Sequence, residues 1–207
     1  MKSKQRLAKA QHEHIKSIVY GGMDGIITTF AIVAGAAGAT LSPGVALIMG
    51  FANLIADGIS MGVGDYFSSK AENEEAKHET FYQKYQKKGF SHKSISHIKQ
   101  LYVKERIPFA EIKNSSPVTN GLVNFSSFLA FGFIPLLSYV ILYTFSISFD
   151  ALLLSGLFTL ATLFLLGTYK SRILQTSILR GGLETMLIGS FAAGAAYLVG
   201  NVLSFLV

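Results

Sequence analysis

The chain has 207 residues, of which 50% are hydrophobic and only 14% charged, with a mean hydropathy of +0.43; this excludes an ordinary soluble domain and indicates a polytopic membrane protein. Cysteine is absent, so disulfides and thiolate metal sites are excluded. The net charge of +6 does not point to nucleic acid, because the basic residues cluster between hydrophobic stretches, as topological and lipid-facing charges do.

In chain order, Met1–Lys16 is basic, polar and helix-compatible. It lacks a small-residue cleavage pattern and is not read as a removable signal peptide. Five segments then reach the roughly 20 mostly apolar residues that a bilayer span needs. They are Ile18–Thr40, Pro43–Phe67, Val118–Phe145, Phe149–Tyr169 and Ile178–Val207. Only Leu41 and Ser42 separate the first two, and Pro43 suits the first turn of the second, so these form a tight hairpin. Pro135 lies inside the third span, where it removes a backbone donor and favours a kink.

The predicted class is an all-α membrane protein of five transmembrane helices, with a small helical cytosolic insertion between the second and third. Residues 1–67 hold the N-terminal segment and two spans, 68–116 the connection, and 117–207 the last three spans. Lys2, Lys4, Arg6, Lys9 and Lys16 precede span one, ten basic residues lie between Lys70 and Lys113, and Lys170, Arg172 and Arg180 separate spans four and five. The two opposite loops carry none. The positive-inside rule then places the N-terminus in the cytosol and the C-terminus outside.

In the connection, Lys70–Lys88 reads as a polar helix leaving span two, stopped at Gly89. Ile95, Ile98, Leu101 and Tyr102, then Ile107, Phe109 and Ile112, mark one or two short amphipathic helices divided near Pro108. Glu72, Glu75 and Glu79 share a helical face, with Glu74 and His78 nearby. A metal-collecting face and a solvated helix with Glu–Lys pairs both fit that pattern. His12, His14, His92 and His97 lack the spacing or neighbours of a site and are read as surface residues.

The chemistry lies in the spans. An acid in the bilayer costs at least about 2.5–3.5 kcal/mol on insertion scales, so Asp24 and Asp57 are candidate functional residues. Asn53, Asp57, Ser60, Met61 and Gly64 recur at helical three- and four-residue spacing, giving span two one face of oxygen and thioether groups beside small residues. At 1.5 Å of rise per residue, Asp24 lies roughly 9 Å and Asp57 roughly 12–15 Å from the cytosolic end. Glu184 falls in the same layer by depth. Carboxylate and amide oxygens suit hard or borderline divalent ions, and the Met61 thioether biases the set toward Fe2+. The same carboxylates can take up protons, which gives metal–proton exchange a physical basis. Helix–helix bonding is the structural alternative for each acid, and for Glu184 a place near the positive end of its helix dipole is another. Gly21/Gly25, Ala34/Gly38, Gly58/Gly62 and Ser190/Gly194 repeat at four-residue spacing and indicate tight helix packing.

The runs VYGGMDGIITTFAIVAGAAGA (Val19–Ala39), FANLIADGISMGVGDYFSSKAENE (Phe51–Glu74) and LETMLIGSFAAGAAYLVG (Leu183–Gly200) resemble the vacuolar iron transporter family. The resemblance spans all five predicted helices. It implies a homodimer with a path lined by the first two helices, along which Fe2+ or Mn2+ leaves the cytosol in exchange for protons. It implies no cofactor, the metal being cargo; separately, a bacterial inner membrane or a vacuole-like organelle is the expected location. By position, Asp24 matches the family's pathway aspartate and Met61 its pathway methionine; Thr28 and Ser60 lie on the same faces. Asn53 stands where the family carries a pathway glutamate, and Asp57, one turn later, is the acid available there. In the connection, Gln83 and Gln86 replace metal-gathering positions, and no methionine is present. A transport-inactive adaptor or metal sensor on the same fold is the alternative expectation. No nucleophile–base pair or phosphate loop supports an enzyme.

Overall fold

The computed structural model describes residues 2–78, 81–104 and 116–206, with side chains described over 14–74, 83, 85–101 and 116–206. Among the described residues the chain is helical with no strand. The helices are α1 (Lys2–Gly38), α2 (Pro43–His78), α3 (Phe81–Lys87), α4 (His92–Lys104), α5 (Pro117–Phe145), α6 (Ala151–Ile173) and α7 (Ile178–Ser204). Five are long and apolar enough to cross a membrane, over His14–Gly38, Pro43–Glu74, Pro117–Phe145, Ala151–Ile173 and Ile178–Ser204. All five predicted spans are therefore helices of the expected order. The first two extend further than hydropathy indicates, because the flanking polar residues are good helix formers that continue the same hydrogen-bond ladder.

The bundle is organised around α1, which packs against α2, α5, α6 and α7. Half of its apolar stretch is buried within the chain, against 11% for α7, so α1 is the central helix and α7 a peripheral one. The main core joins Val33 and Ala36 of α1 to Leu54 of α2 and Phe128, Leu136 and Tyr139 of α5. Small residues permit these contacts, as their spacing predicts. Gly25 faces Phe128, Gly62 faces Gly121, and Gly38 faces Tyr197. Nothing lies within 4 Å of where a Cβ on Gly194 would sit, so the Ser190/Gly194 pair has no packing role inside the chain.

Polar groups tie the same helices together. Pro135 is fully buried in α5, and its carbonyl accepts from Ser155 Oγ of α6 at 2.8 Å and Ser138 Oγ at 3.0 Å. Ser127 Oγ donates to the Ile18 carbonyl at 2.6 Å, fixing α5 against α1. Asp150 caps α6, its Oδ1 accepting from the Leu153 amide at 3.0 Å.

In the connection, α3 packs on α4. The chain turns at Gly89, whose φ of 84° lies in the left-handed region, as the stop signal predicts. The expected apolar positions Ile107, Phe109 and Ile112, together with Pro108, fall outside the described residues.

Three further helix ends use left-handed residues that are not glycine: Thr40, Ser146 and Gln175, with φ of 55°, 51° and 55°. After each, the next amide bonds five residues back, as in Leu41 N–H to the Ala36 carbonyl at 2.9 Å. The β-branched Thr40 carries the largest steric cost of the three. Thr40→Gly is expected to stabilise the hairpin by about 1 kcal/mol, read as a melting temperature higher by about 2–4 °C.

Candidate metal pathway

The tight α1–α2 hairpin places Asp24 and Asp57 at similar height. Asp24 lies 14 residues before the end of α1 and Asp57 lies 14 residues after the start of α2, so the two stand at one level of the hairpin. Asp24, Thr28, Asn53, Asp57 and Met61 are each half-buried, whereas Ser60 is exposed. The predicted stripe on α2 is thus partly covered within the chain, with Ser60 on its exposed edge. Asp24 follows directly from the region where Gly21 and Gly25 let α1 lie against α5, so its position is set by a close backbone crossing.

The donors differ in what they have left to offer. Thr28 Oγ1 donates to the Asp24 carbonyl at 2.9 Å, so its proton is used within α1 while its lone pairs remain. Asn53 Nδ2 is buried without a hydrogen-bond partner. Met61 packs against the core cluster that contains Leu54 and Phe128, which holds its flexible side chain. Two carboxylates, an amide and a thioether form a mixed hard and soft set that suits a borderline divalent ion.

Other sequence candidates do not join this group. The side chain of Glu184 is 57% exposed and accepts from Arg180 Nε at 2.9 Å on the surface of α7. Glu72 is exposed near the end of the apolar part of α2. The side chain of Glu75 and the whole of Glu79 lie outside the described residues. Among the described residues, no group of three His, Asp or Glu gathers around one point.

A polar junction beyond Met61 escaped the sequence reading. Asp65 Oδ2 accepts from Ser17 Oγ of α1 at 2.8 Å and from Asn124 Nδ2 of α5 at 3.1 Å. One turn on, Asn120 Nδ2 donates to Ser69 Oγ at 3.0 Å. The available signal was that Asp65 and Ser69 continue the four-residue spacing of Asn53, Asp57 and Met61. Their partners are 48 to 59 residues away in the chain.

The chain matches the pattern of the VIT family over residues 15–114 and 73–201. It is 30% identical to a vacuolar iron transporter of Toxoplasma gondii, over 99% of this chain and 79% of that protein. The vacuolar iron transporter of Plasmodium berghei is 32% identical over 92% of this chain and 82% of that protein. Vacuolar iron transporter 1 of Arabidopsis thaliana is 28% identical over 92% and 86%. With five membrane-length helices in the expected order and a family match across nearly its whole length, the chain belongs to the VIT family.

Proposed function

We propose that the protein is a homodimeric exporter that moves Fe2+ or Mn2+ out of the cytosol in exchange for protons, along a path lined by α1 and α2. The feature that supports this reading is that the α1–α2 hairpin sets Asp24 and Asp57 at one level of two adjacent membrane-length helices, with Met61 one turn beyond Asp57. Two like charges held close in a low dielectric repel by several kcal/mol, on the order of 4 kcal/mol at 4 Å and an effective dielectric of 20. A divalent cation or a proton relieves that repulsion, so binding one favours release of the other. That competition is the simplest coupling device the residues provide. The relatives' shared name, iron transporter, supports the choice of cargo.

Dimerisation is argued from what one chain lacks. Two carboxylates and a thioether are few donors for a divalent ion, which commonly takes six oxygen ligands when hard. On α2, Ala52, Ala56, Ser60 and Gly64 form an exposed stripe of small residues at four-residue spacing. A second copy against that stripe would double the ligand set around a two-fold axis and cover this exposed edge. The positive-inside pattern supports a cytosolic N-terminus and an external C-terminus.

One observation favours the second reading, an adaptor or sensor without transport. Residues 81–104 contain six lysines and no acid, so α3 and α4 repel cations where Gln83 and Gln86 already replace metal-gathering side chains. Reconstitution separates the two. In liposomes with the protein in its native orientation, an inward Fe2+ or Mn2+ gradient is expected to drive proton movement the opposite way, measured with an enclosed pH dye. Metal binding without any flux would favour the sensor.

A further inference from the structure

The ligand stripe of α2 does not stop at Met61. Asp65 and Ser69 continue it, and there α1, α2 and α5 form a half-open chamber of about 120 Å3 lined in part by Ser17, Asp65, Ser69, Glu72, Asn120 and Asn124. This is room for a cation with several waters, each of which takes about 30 Å3 in the liquid. Lys16 and Tyr20 also line it; both are exposed, with Lys16 Nζ 6.0 Å over the Tyr20 ring. Asp65 and Glu72 are the acids of the lining and Lys16 its base.

Its polar groups are incompletely used. Both hydrogen bonds to Asp65 fall on Oδ2, which fixes the carboxylate while Oδ1 accepts none among the described residues. Asn120 and Asn124 are each only 5% exposed, and each keeps an amide oxygen without a partner. A buried acceptor left unpaired is costly, and a cation or its bound water can remove that cost. The donors are all oxygen, the chemistry of a hard or borderline divalent cation that keeps part of its water.

We propose that this chamber is a second cation site, an oxygen-lined station that holds a partly hydrated divalent cation about two turns of α2 before it reaches Asp57 and Met61. The order of the two stations rests on the transport reading above; the binding itself does not. The ion sheds water in stages, first against oxygens and then against the mixed set that includes sulfur. Asp65 touches the cation in this scheme, whereas Ser17 and Asn124 act through it as positioning residues.

The test uses the full chain in nanodiscs, titrated with Mn2+ and followed by electron paramagnetic resonance. In an Asp24→Asn/Asp57→Asn background, which empties the deeper station, Mn2+ binding is expected to persist at one ion per chain. Adding Asp65→Asn should weaken it about tenfold or more, because ligand charge sets affinity at oxygen sites, and Asp65→Glu should restore most of it. Asn120→Asp, which adds a charge, should tighten it about threefold or more and keeps the test open if Asp65→Asn misfolds. In liposomes Asp65→Asn alone should raise the KM for Mn2+ about tenfold with Vmax within about twofold. Unchanged Mn2+ binding in both Asp65→Asn and Asn120→Asp, with only thermal stability altered, would overturn the proposal and leave Asp65 a structural pin. Transport by the wild type without chamber binding defeats this site alone, and chamber binding without transport defeats the transport reading alone.

Discussion

Asp24→Asn is expected to reduce metal-driven proton flux by roughly 100-fold or more while the protein still folds. Asparagine is isosteric and Asp24 is half-buried, so packing against α2 and α5 changes little. The electrostatic loss is large. A unit charge about 4 Å from another contributes on the order of 4 kcal/mol at an effective dielectric of 20, and a divalent ion doubles that. Retaining only a third of the doubled figure still corresponds to roughly 100-fold in affinity. Asp57→Asn is expected to behave alike, since both acids act on one ion. The double variant should then lose little beyond either single one, because residues that act as a unit are not additive. Flux from a quenched pH dye at several Mn2+ concentrations measures it; full activity of either variant would remove that acid from the path.

The second large effect concerns the crossing that positions Asp24. A methyl group on Gly132 would lie 2.8 Å from the Gly25 carbonyl oxygen and 2.6 Å from Leu54 Cδ1. The oxygen belongs to backbone and cannot swing aside. Gly132→Ala is therefore expected to destabilise by about 1–3 kcal/mol, as overpacked cores do, lowering the melting temperature by roughly 2–10 °C. Because Gly25 adjoins Asp24, the same change should move the carboxylate and reduce flux more than stability alone accounts for. Gly194→Ala is the control, since nothing occupies the space its methyl would enter. It is expected to be neutral or to stabilise by about 0.5–1 kcal/mol through helix propensity. Thermal unfolding of the two variants, side by side in the same detergent, measures the difference.

Much of the fold was legible because a bilayer leaves few solutions: each apolar run of sufficient length must be a helix. The pairing of Gly21/Gly25 and Gly58/Gly62 with close contacts was legible for the same reason, since only small residues let backbones meet. Azimuth was not. Helix rise placed Asp24, Asp57 and Glu184 at one depth, but depth does not say which way a side chain faces. Glu184 faces outward to Arg180, whereas Asp24 and Asp57 are half-buried within the chain. The turns at Thr40, Ser146 and Gln175 were hidden too, because left-handed helix ends are recognised by glycine and none stands there.

Asp65 shows where sequence reasoning about a site runs out. Its spacing from Met61 was visible, but its meaning depends on Ser17 and Asn124, which reach it from two other helices. No local pattern reports such partners. The same holds for the buried amide oxygens of Asn120 and Asn124, which become informative only once the surrounding helices are in place.

The central claim is that carboxylates and a thioether share one ion inside the membrane layer. Iron K-edge X-ray absorption on the full chain loaded with one equivalent of Fe2+ tests it most directly. A sulfur scatterer in the first coordination shell, lost in Met61→Ala and accompanied by oxygens that change in Asp24→Asn/Asp57→Asn, is the predicted result. An all-oxygen shell that is identical in the wild type and in both variants would contradict the account.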